Sequence, residues 1–359
     1  MIDHQKNAGA FIPAKFAHFY RQQTAQIVRK LEIQRIMSII WAILMYIIFL
    51  PLVVCAFLMS FKIIKIYSEI VINPEVLGII GIVLLMFITI VSPLKMSGYE
   101  FDAKSLMFNK ILSFLGSFEY SSYVSDYSRI PAEYLKSLCL FDDFDDYKVK
   151  SIIEGKYDGI DAKIEDIILK NKVEYKPYYL IKSKQLTIEL MNIPDALCGL
   201  VKTIKSNINA AKGIFMMFSF QKEINGKVLI SQNKRIIKNN KVKNLHKVQI
   251  ASSEFNRLFI VYSDNPESVK DFLTQDFMQR LVCIAKKYSD LKISCSFEGK
   301  QLNVFIQGKF TGCDILKNWC KVSVWKSIDR LREYQNQVGL IASFLSLADT
   351  ANFSDEAEI

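Results

Sequence analysis

Histidine is nearly missing from this 359-residue chain, which has only His4, His18 and His246. Zinc sites and catalytic triads that need several imidazoles are therefore excluded, apart from variants built on a single histidine. A phosphate-binding loop is also lacking, because Gly155-Lys156 has neither the earlier glycine nor the following Ser or Thr of that motif. No motif in the sequence identifies an enzymatic reaction.

The seven cysteines include no pair with the Cys-x-x-Cys spacing of a metal knuckle. Their number is odd and Cys55 lies inside an apolar run, so an oxidised disulfide framework does not fit. A reduced cysteine behaves as a small hydrophobe, and we predict structural thiols. The six others are Cys139, Cys198, Cys283, Cys295, Cys313 and Cys320.

Four aspartates, Asp142, Asp143, Asp145 and Asp146, offer the oxygen ligands that magnesium or calcium prefers. The segment lacks the glycine-containing spacing of a calcium loop, which favours a solvated acidic loop. We therefore predict no metal site and no cofactor.

Long uncharged apolar runs are present twice, at Met37 to Phe61 and at Val76 to Leu94. As helices these runs reach about 38 Å and 28 Å, enough for the roughly 30 Å hydrocarbon layer of a membrane. A signal peptide has an apolar stretch of only about 7 to 15 residues near its start, and here 36 residues precede the first run. The sequence predicts two membrane helices.

Positive charge near the helix ends predicts their orientation, because cytoplasmic flanks carry an excess of Lys and Arg. Seven such residues flank the outer ends of the pair and two lie in the connection between the runs, which predicts that both termini are cytoplasmic. The seven are Arg21, Arg29, Lys30, Arg35, Lys95, Lys104 and Lys110, and the two are Lys62 and Lys65. Neither run contains an ionisable residue of the kind that transport pathways need, so we predict an anchor.

The chain after Lys95 first shows a helical pattern, as far as the row of Tyr120, Tyr123 and Tyr127. From Tyr147 onward the period changes to two, which is typical of strands. Turn signals predict hairpins, and the clearest is at Asn225-Gly226. The other two are Asp158-Gly159 and Glu298-Gly299.

Two helices and a buried strand complete this pattern. Leu258 to Tyr262 predicts a central strand buried on both faces, and a helix is predicted from Pro266, with a restart at Thr274. A last helix is predicted to carry Trp325, Ile328, Leu331, Val338, Ile341 and Leu345 on one side. The predicted fold class is α+β, a two-helix transmembrane hairpin followed by a mixed sheet-and-helix domain.

Five segments follow from these patterns. They are a cytoplasmic helical segment at 1–36, the transmembrane hairpin at 37–94 with helices 37–61 and 76–94, a juxtamembrane helical segment at 95–130, a cytoplasmic α+β domain at 131–348 and an acidic tail at 349–359.

Basic side chains gather between Lys227 and Lys247, with no acidic residue between Glu223 and Glu254. Near a membrane such a stretch attracts anionic lipid head groups, and a long solvated loop is the alternative. The predicted lipid contacts are Lys234, Arg235, Lys238, Lys241, Lys243 and Lys247. Nucleic acid, the other polyanion, is not expected as a partner.

A series of short motifs in the second half of the chain occurs in a recognisable order. The sharpest are Glu254-Phe255, Phe259, Val261-Tyr262-Ser263-Asp264 and Leu273 to Leu281, and Asn225-Gly226-Lys227 precedes them. With these motifs the chain resembles the bacterial domain-of-unknown-function family 3137 from about Tyr120 to Leu347. The resemblance implies two membrane helices ahead of a cytoplasmic domain in the bacterial inner membrane, and it brings no reaction or catalytic residues. Ser343 to Ile359 departs from the segment with which the family usually ends.

The predicted function is a membrane-anchored binding or scaffolding module whose partners are the bilayer and a protein or anionic lipid head groups. One alternative is a membrane-surface enzyme in which Glu154, Asp158, Glu165 or Asp264 meet in a pocket. The other is an accessory subunit of a transport complex. Glu254, Asp264 and Arg280 fit caps or ion pairs better than catalysts.

Overall fold

The computed structural model describes residues 12–60, 74–121, 130–174, 205–233, 244–267, 269, 273–308 and 322–352. These residues form two compact units. The helical unit comprises the described parts of Ile12–Phe114 and Cys320–Gly339, and the sheet unit those of Leu115–Trp319 and Leu340–Ile359.

Two long helices, α1 at Pro13–Ser60 and α2 at Pro74–Leu112, dominate the helical unit. The segment from Ala14 to Ile36 is helical as predicted, and α1 continues through Pro51 without interruption. Its apolar side packs within the unit, since the rings of Phe16 and Phe114 lie 5.2 Å apart and Leu31 is fully buried.

One helix in the described part of the chain, over Pro13–Cys55, is long and apolar enough to cross a membrane. Only 22% of its most apolar window is buried inside the protein, whereas a core helix of a soluble domain would be mostly buried. This N-terminal helix fits a membrane anchor or a signal sequence. The second predicted span, on α2, is not identified by the same criterion.

Seven strands of the sheet unit form one antiparallel sheet among the described residues. They are β1 at Ser117–Ser121, β2 at Asp146–Tyr157, β3 at Ile160–Glu174, β4 at Lys205–Ser231, β5 at His246–Val248, β6 at Ile260–Ser263 and β7 at Leu291–Gly308. Their order is β1-β2-β3-β4-β6-β5, and β7 pairs with the other edge of β4. The helices are α3 at Ala132–Ser137, α4 at Ser253–Leu258, α5 at Gln275–Lys287 and α6 at Leu331–Asn352.

The hairpin at Asp158-Gly159 is confirmed. It joins β2 to β3, and Tyr157 pairs with Ile160 across a two-residue turn. Both turn residues have positive φ, 45° for Asp158 and 81° for Gly159, as this kind of tight hairpin requires.

The hairpins predicted at Asn225-Gly226 and Glu298-Gly299 are wrong. Both halves of β4 pair with the single strand β7 in one antiparallel direction, from Gly213 opposite Gln307 to Ser231 opposite Ser294. The two turn signals mark irregularities of this ladder near Ile224 instead. Gly226 and Gly299 do have positive φ, 101° and 57°, but they bend two continuous strands and do not reverse them.

Several other boundaries differ from those predicted. Tyr120 lies on β1 and not on a helix, whereas Tyr123 and Tyr127 fall outside the described residues. The restart at Thr274 is confirmed, because its side chain accepts a hydrogen bond from the Phe277 amide at the start of α5. The last helix begins at Leu331, which leaves Trp325 and Ile328 in the preceding loop.

Both faces of the sheet are covered. On one face the segment 130–144 packs on the strands, with Phe141 4.6 Å from Phe305 and 6.0 Å from Phe215 between ring centroids. On the opposite face α5 packs on β7, where the rings of Phe277 and Phe297 lie 5.4 Å apart. Strand β6 pairs with a neighbour on each edge, but its side chains alternate between buried and half-buried, so the prediction of a strand buried on both faces was wrong.

Candidate functional site

The predicted lipid-binding stretch lies mostly outside the described residues, which leave out 234–243. Lys247 is described, and it is exposed on β5 at the end of the strand order. Its position at a sheet edge leaves its side chain accessible to an anionic surface. The lipid contact as a whole stays a prediction.

Two of the four carboxylates considered for an enzyme site are brought together on one face of the sheet. Lys163 on β3 lies with its Nζ 2.9 Å from Glu154 Oε1 on β2 and 3.5 Å from Glu165 Oε1. Glu165 is fully buried and Glu154 is about half exposed. The ammonium group between them offsets their charge, so the three side chains form an ion-pair network across β2 and β3.

The other two carboxylates lie elsewhere in the sheet unit. Asp158 occupies the β2–β3 turn, where burial, Asp158 and Asp349 together raise the pKa of Tyr157 to about 12. Asp264 follows β6, and its Oδ1 accepts a hydrogen bond of 2.7 Å from the Lys227 amide at the bend of β4. The pocket of convergent carboxylates that an enzyme would need is not formed by these four residues.

The interpretation of Glu254 and Arg280 as ion-pair residues is confirmed. Glu254 on α4 pairs with Lys286 on α5. Arg280 pairs with Asp276 one helical turn away at 2.9 Å and also donates to Ser346 on α6. These contacts join the helices of the sheet unit.

A groove of about 650 Å³ runs between α4 and α5. Of its lining residues Val282 is buried and Met278 is partly buried, and the pair of Glu254 and Lys286 is about half exposed. The remaining lining residues are Ala251, Ser252, Gln275, Gln279 and Cys283. The groove therefore presents both apolar and polar side chains to solvent.

The cysteines divide by exposure. Cys139 and Cys295 are buried, and burial raises the pKa of the Cys295 thiol well above its ordinary value. Cys55 and Cys283 are exposed. The prediction of a buried structural thiol is therefore wrong for Cys283, which lines the groove. Cys198, Cys313 and Cys320 fall outside the described residues. Among the described residues no three His, Cys, Asp or Glu side chains are arranged to hold a metal ion.

Sequence reasoning missed one feature of the helical unit, a loop at 322–329 that both long helices hold. We call it the clasp loop. Glu32 on α1 accepts hydrogen bonds from the Ser327 hydroxyl and, at 2.8 Å, from the Ile328 amide. Arg35 donates to the Val324 carbonyl at 3.2 Å, and Glu100 on α2 accepts from the Val324 amide at 3.1 Å.

No sequence signal pointed to the clasp loop, because its partners are distant along the chain. Arg35 and Val324 are 289 positions apart.

Comparison with known families gives one match. Residues 210–352 match the family model described as "Protein of unknown function (DUF3137)", which confirms the resemblance noted from the sequence over that part of the chain. The match leaves out the stretch from Tyr120 to residue 209 and both apolar runs, so it says nothing about the membrane helices.

Comparison with characterised proteins and solved structures adds little. No curated protein matches this chain. A crystal structure of the mycobacterial trehalose monomycolate transport factor A, TtfA, is similar at a TM-score of 0.30 and 11% identity, covering 70% of this chain and 94% of that one. This degree of structural similarity identifies neither a shared fold nor a shared function.

Proposed function

We propose that this protein is a membrane-anchored binding or scaffolding module of a bacterial inner membrane. The apolar runs 37–61 and 76–94 cross the bilayer, both termini lie in the cytoplasm, and the sheet unit binds a partner protein there. Anionic lipid head groups contact the basic stretch that ends at Lys247.

The observation that carries this proposal is the apolar helix α1. Its most apolar window is only 22% buried by the rest of the chain, so its side chains need an apolar environment from outside the protein. Ile40, Ile43 and Ile47 are among its exposed residues. Exposure of that much apolar surface to water would be costly, and a bilayer removes the cost.

The binding role rests on the groove between α4 and α5, which lies inside the part of the chain that matches the family. Met278 and Val282 supply an apolar centre, and Gln275 and Gln279 supply amide groups that can bond to a peptide backbone. This chemistry fits an extended or helical segment of a partner that carries one or two apolar side chains.

Affinity purification from gently solubilised membranes tests the binding role directly. The full-length protein carries a photo-crosslinking residue at Gln275, which also lines the groove, and crosslinked products are identified by mass spectrometry. We expect one partner at near-equal amounts. The double variant Gln279→Arg, Cys283→Glu should abolish its recovery, because it places two charges in the groove.

The matched control is Lys287→Glu, an exposed change on the same helix that does not line the groove. It should leave recovery of the partner unchanged. Equal recovery with the groove variant would contradict the binding role. A pore-forming partner would identify a transport subunit, and a bound metabolite without any partner would favour the membrane-surface enzyme.

A further inference from the structure

Trp325 stands at the tip of the clasp loop with 68% of its surface exposed. Lys326 beside it is exposed too, whereas Val324 and Ile328 on either side are buried and fasten the loop. Large aromatic side chains are seldom left this exposed without a partner, because their apolar surface is the largest of any residue. The loop therefore presents a tryptophan and a lysine from a fixed base.

The height of this tip follows from the residues that hold it. Arg35 and Glu100 both bind the backbone of Val324, the residue before the tryptophan. Arg35 lies two residues before the apolar run that begins at Met37, or about 3 Å along a helix axis. Glu100 lies six residues after the second run ends at Leu94, or about 9 Å.

The first height lies within the headgroup region of a bilayer, and the second lies at its outer edge. The hydrocarbon core is about 30 Å thick and the whole bilayer about 40 to 45 Å, which leaves roughly 5 to 8 Å of headgroup region on each side. Val324 is held between these two heights, because it bonds to both helices at once. Ile36 and Met37, which directly follow Arg35 on α1, are exposed apolar residues as well.

We propose that Trp325 and Lys326 insert into the headgroup region of the cytoplasmic leaflet and form a membrane contact separate from the apolar helices. An indole suits this region because its ring is apolar and its N–H can donate to lipid oxygens. The Lys326 ammonium group pairs with lipid phosphates. This inference rests on the proposed membrane anchor, from which the height of the loop is measured.

Fluorescence of single-tryptophan variants tests this contact. The chain has three tryptophans, Trp41, Trp319 and Trp325. Trp41→Phe with Trp319→Phe leaves Trp325 as the only reporter, and Trp319→Phe with Trp325→Phe leaves Trp41. Both full-length variants are reconstituted in vesicles of phosphatidylcholine and phosphatidylglycerol in equal parts, with or without bromine on the upper acyl chain.

Brominated lipid should remove more than half of the Trp325 emission, and aqueous iodide should remove little. If brominated lipid quenches Trp41 but leaves Trp325 unaffected and open to iodide, the loop contact is refuted and the anchor stands. If neither tryptophan is quenched by brominated lipid, the membrane anchor itself fails, and the loop contact fails with it.

The clasp supplies a second arm of the test. Glu32→Ala in the Trp325 reporter removes the carboxylate that holds Ser327 and Ile328, so quenching by brominated lipid should fall while iodide quenching rises. The matched control Arg332→Ala removes an exposed side chain of α6 in the same unit and should change neither. Unaltered quenching in Glu32→Ala would overturn the role of the clasp in presenting the tryptophan.

Discussion

Single residues in the sheet unit show how burial and charge set local stability. Asp349, near the end of α6, has its pKa raised above the ordinary value of 3.8, first by burial and then by the neighbouring Asp158 carboxylate. Its Oδ1 is buried without a hydrogen-bond partner among the described residues. A negative charge in the last turn of a helix is also unfavourable. Asp349 therefore destabilises the fold when it is ionised.

Replacing this carboxyl should stabilise the protein at neutral pH. A raised folded-state pKa of an acid means that stability is lost as pH rises through it, and is recovered when both states are protonated. We expect Asp349→Asn to raise the melting temperature by about 2 °C at pH 7. The gain should vanish below the ordinary pKa of 3.8.

Circular dichroism of the full-length protein in detergent, scanned from pH 7 to acid, measures this difference. A gain that is independent of pH would contradict the electrostatic cause. Asp276→Asn, which removes the exposed partner of Arg280, is the control and should not stabilise at neutral pH.

A buried amide group on β7 depends on one tyrosine hydroxyl for its hydrogen bond. Asn303 is fully buried, and its Nδ2 donates to the Tyr134 hydroxyl at 3.2 Å. Tyr134→Phe leaves that amide without its partner and should cost about 1 to 2 kcal/mol. The free energy of unfolding in urea measures this loss.

A double-mutant cycle isolates the interaction. Because Asn303→Leu removes the buried amide, Tyr134→Phe should cost much less in that background than in the wild type. Equal costs in both backgrounds would show that the hydroxyl acts through other contacts.

At the scale of elements, the bend in β4 and β7 shows why turn signals misled the sequence reading. Asn225-Gly226 and Glu298-Gly299 have the residue types of tight hairpins, and both glycines take positive φ. A turn signal reports the local backbone conformation. It does not report which strand the following residues pair with, and here β7 lies beside both halves of β4.

The two glycines at the bend should differ in their tolerance of a side chain. A Cβ at Gly226 would lie 2.7 Å from Asp264 Oδ1, the atom that holds the Lys227 amide, whereas a Cβ at Gly299 would meet nothing within 4 Å. We expect Gly226→Ala to cost about 3 kcal/mol, from backbone strain and the lost hydrogen bond. Gly299→Ala should cost about 1 kcal/mol, from backbone strain alone.

Urea unfolding of both variants gives the comparison. Equal losses would contradict the role of Asp264 in closing the bend.

At the scale of the whole molecule, the prediction that matters most is the topology. Cys283 is exposed on α5 of the sheet unit, and Cys295 is buried on β7. Their difference in exposure makes Cys283 a reporter of the side of the membrane on which the sheet unit lies. Cys295 serves as a reporter of folding.

We expect a membrane-impermeant maleimide to label a variant with Cys283 as its single cysteine only after the inner membrane is permeabilised. A cysteine introduced at Lys65, in the connection between the apolar runs, should be labelled from outside in intact spheroplasts. A variant with Cys295 as its single cysteine should resist labelling in intact and in permeabilised spheroplasts until the protein is denatured. Labelling of Cys283 from outside would reverse the proposed orientation.

The sequence by itself determined the features that depend on neighbouring residues. The apolar helix α1, the hairpin at Asp158-Gly159 and the start of α5 at Thr274 could all be read, because length, turn chemistry and capping act over a few positions. The α+β class followed from the change of hydrophobic period.

Only the tertiary structure decided which distant segments meet. Glu154 and Glu165 share Lys163 because of the β2–β3 register, and the clasp loop reaches Arg35 across 289 positions. Trp325 was predicted to lie on the last helix because its spacing to Ile328 and Leu331 is helical, whereas the structure places it in the clasp loop before that helix. Such contacts depend on the packing of the complete chain, which no local pattern in the sequence encodes.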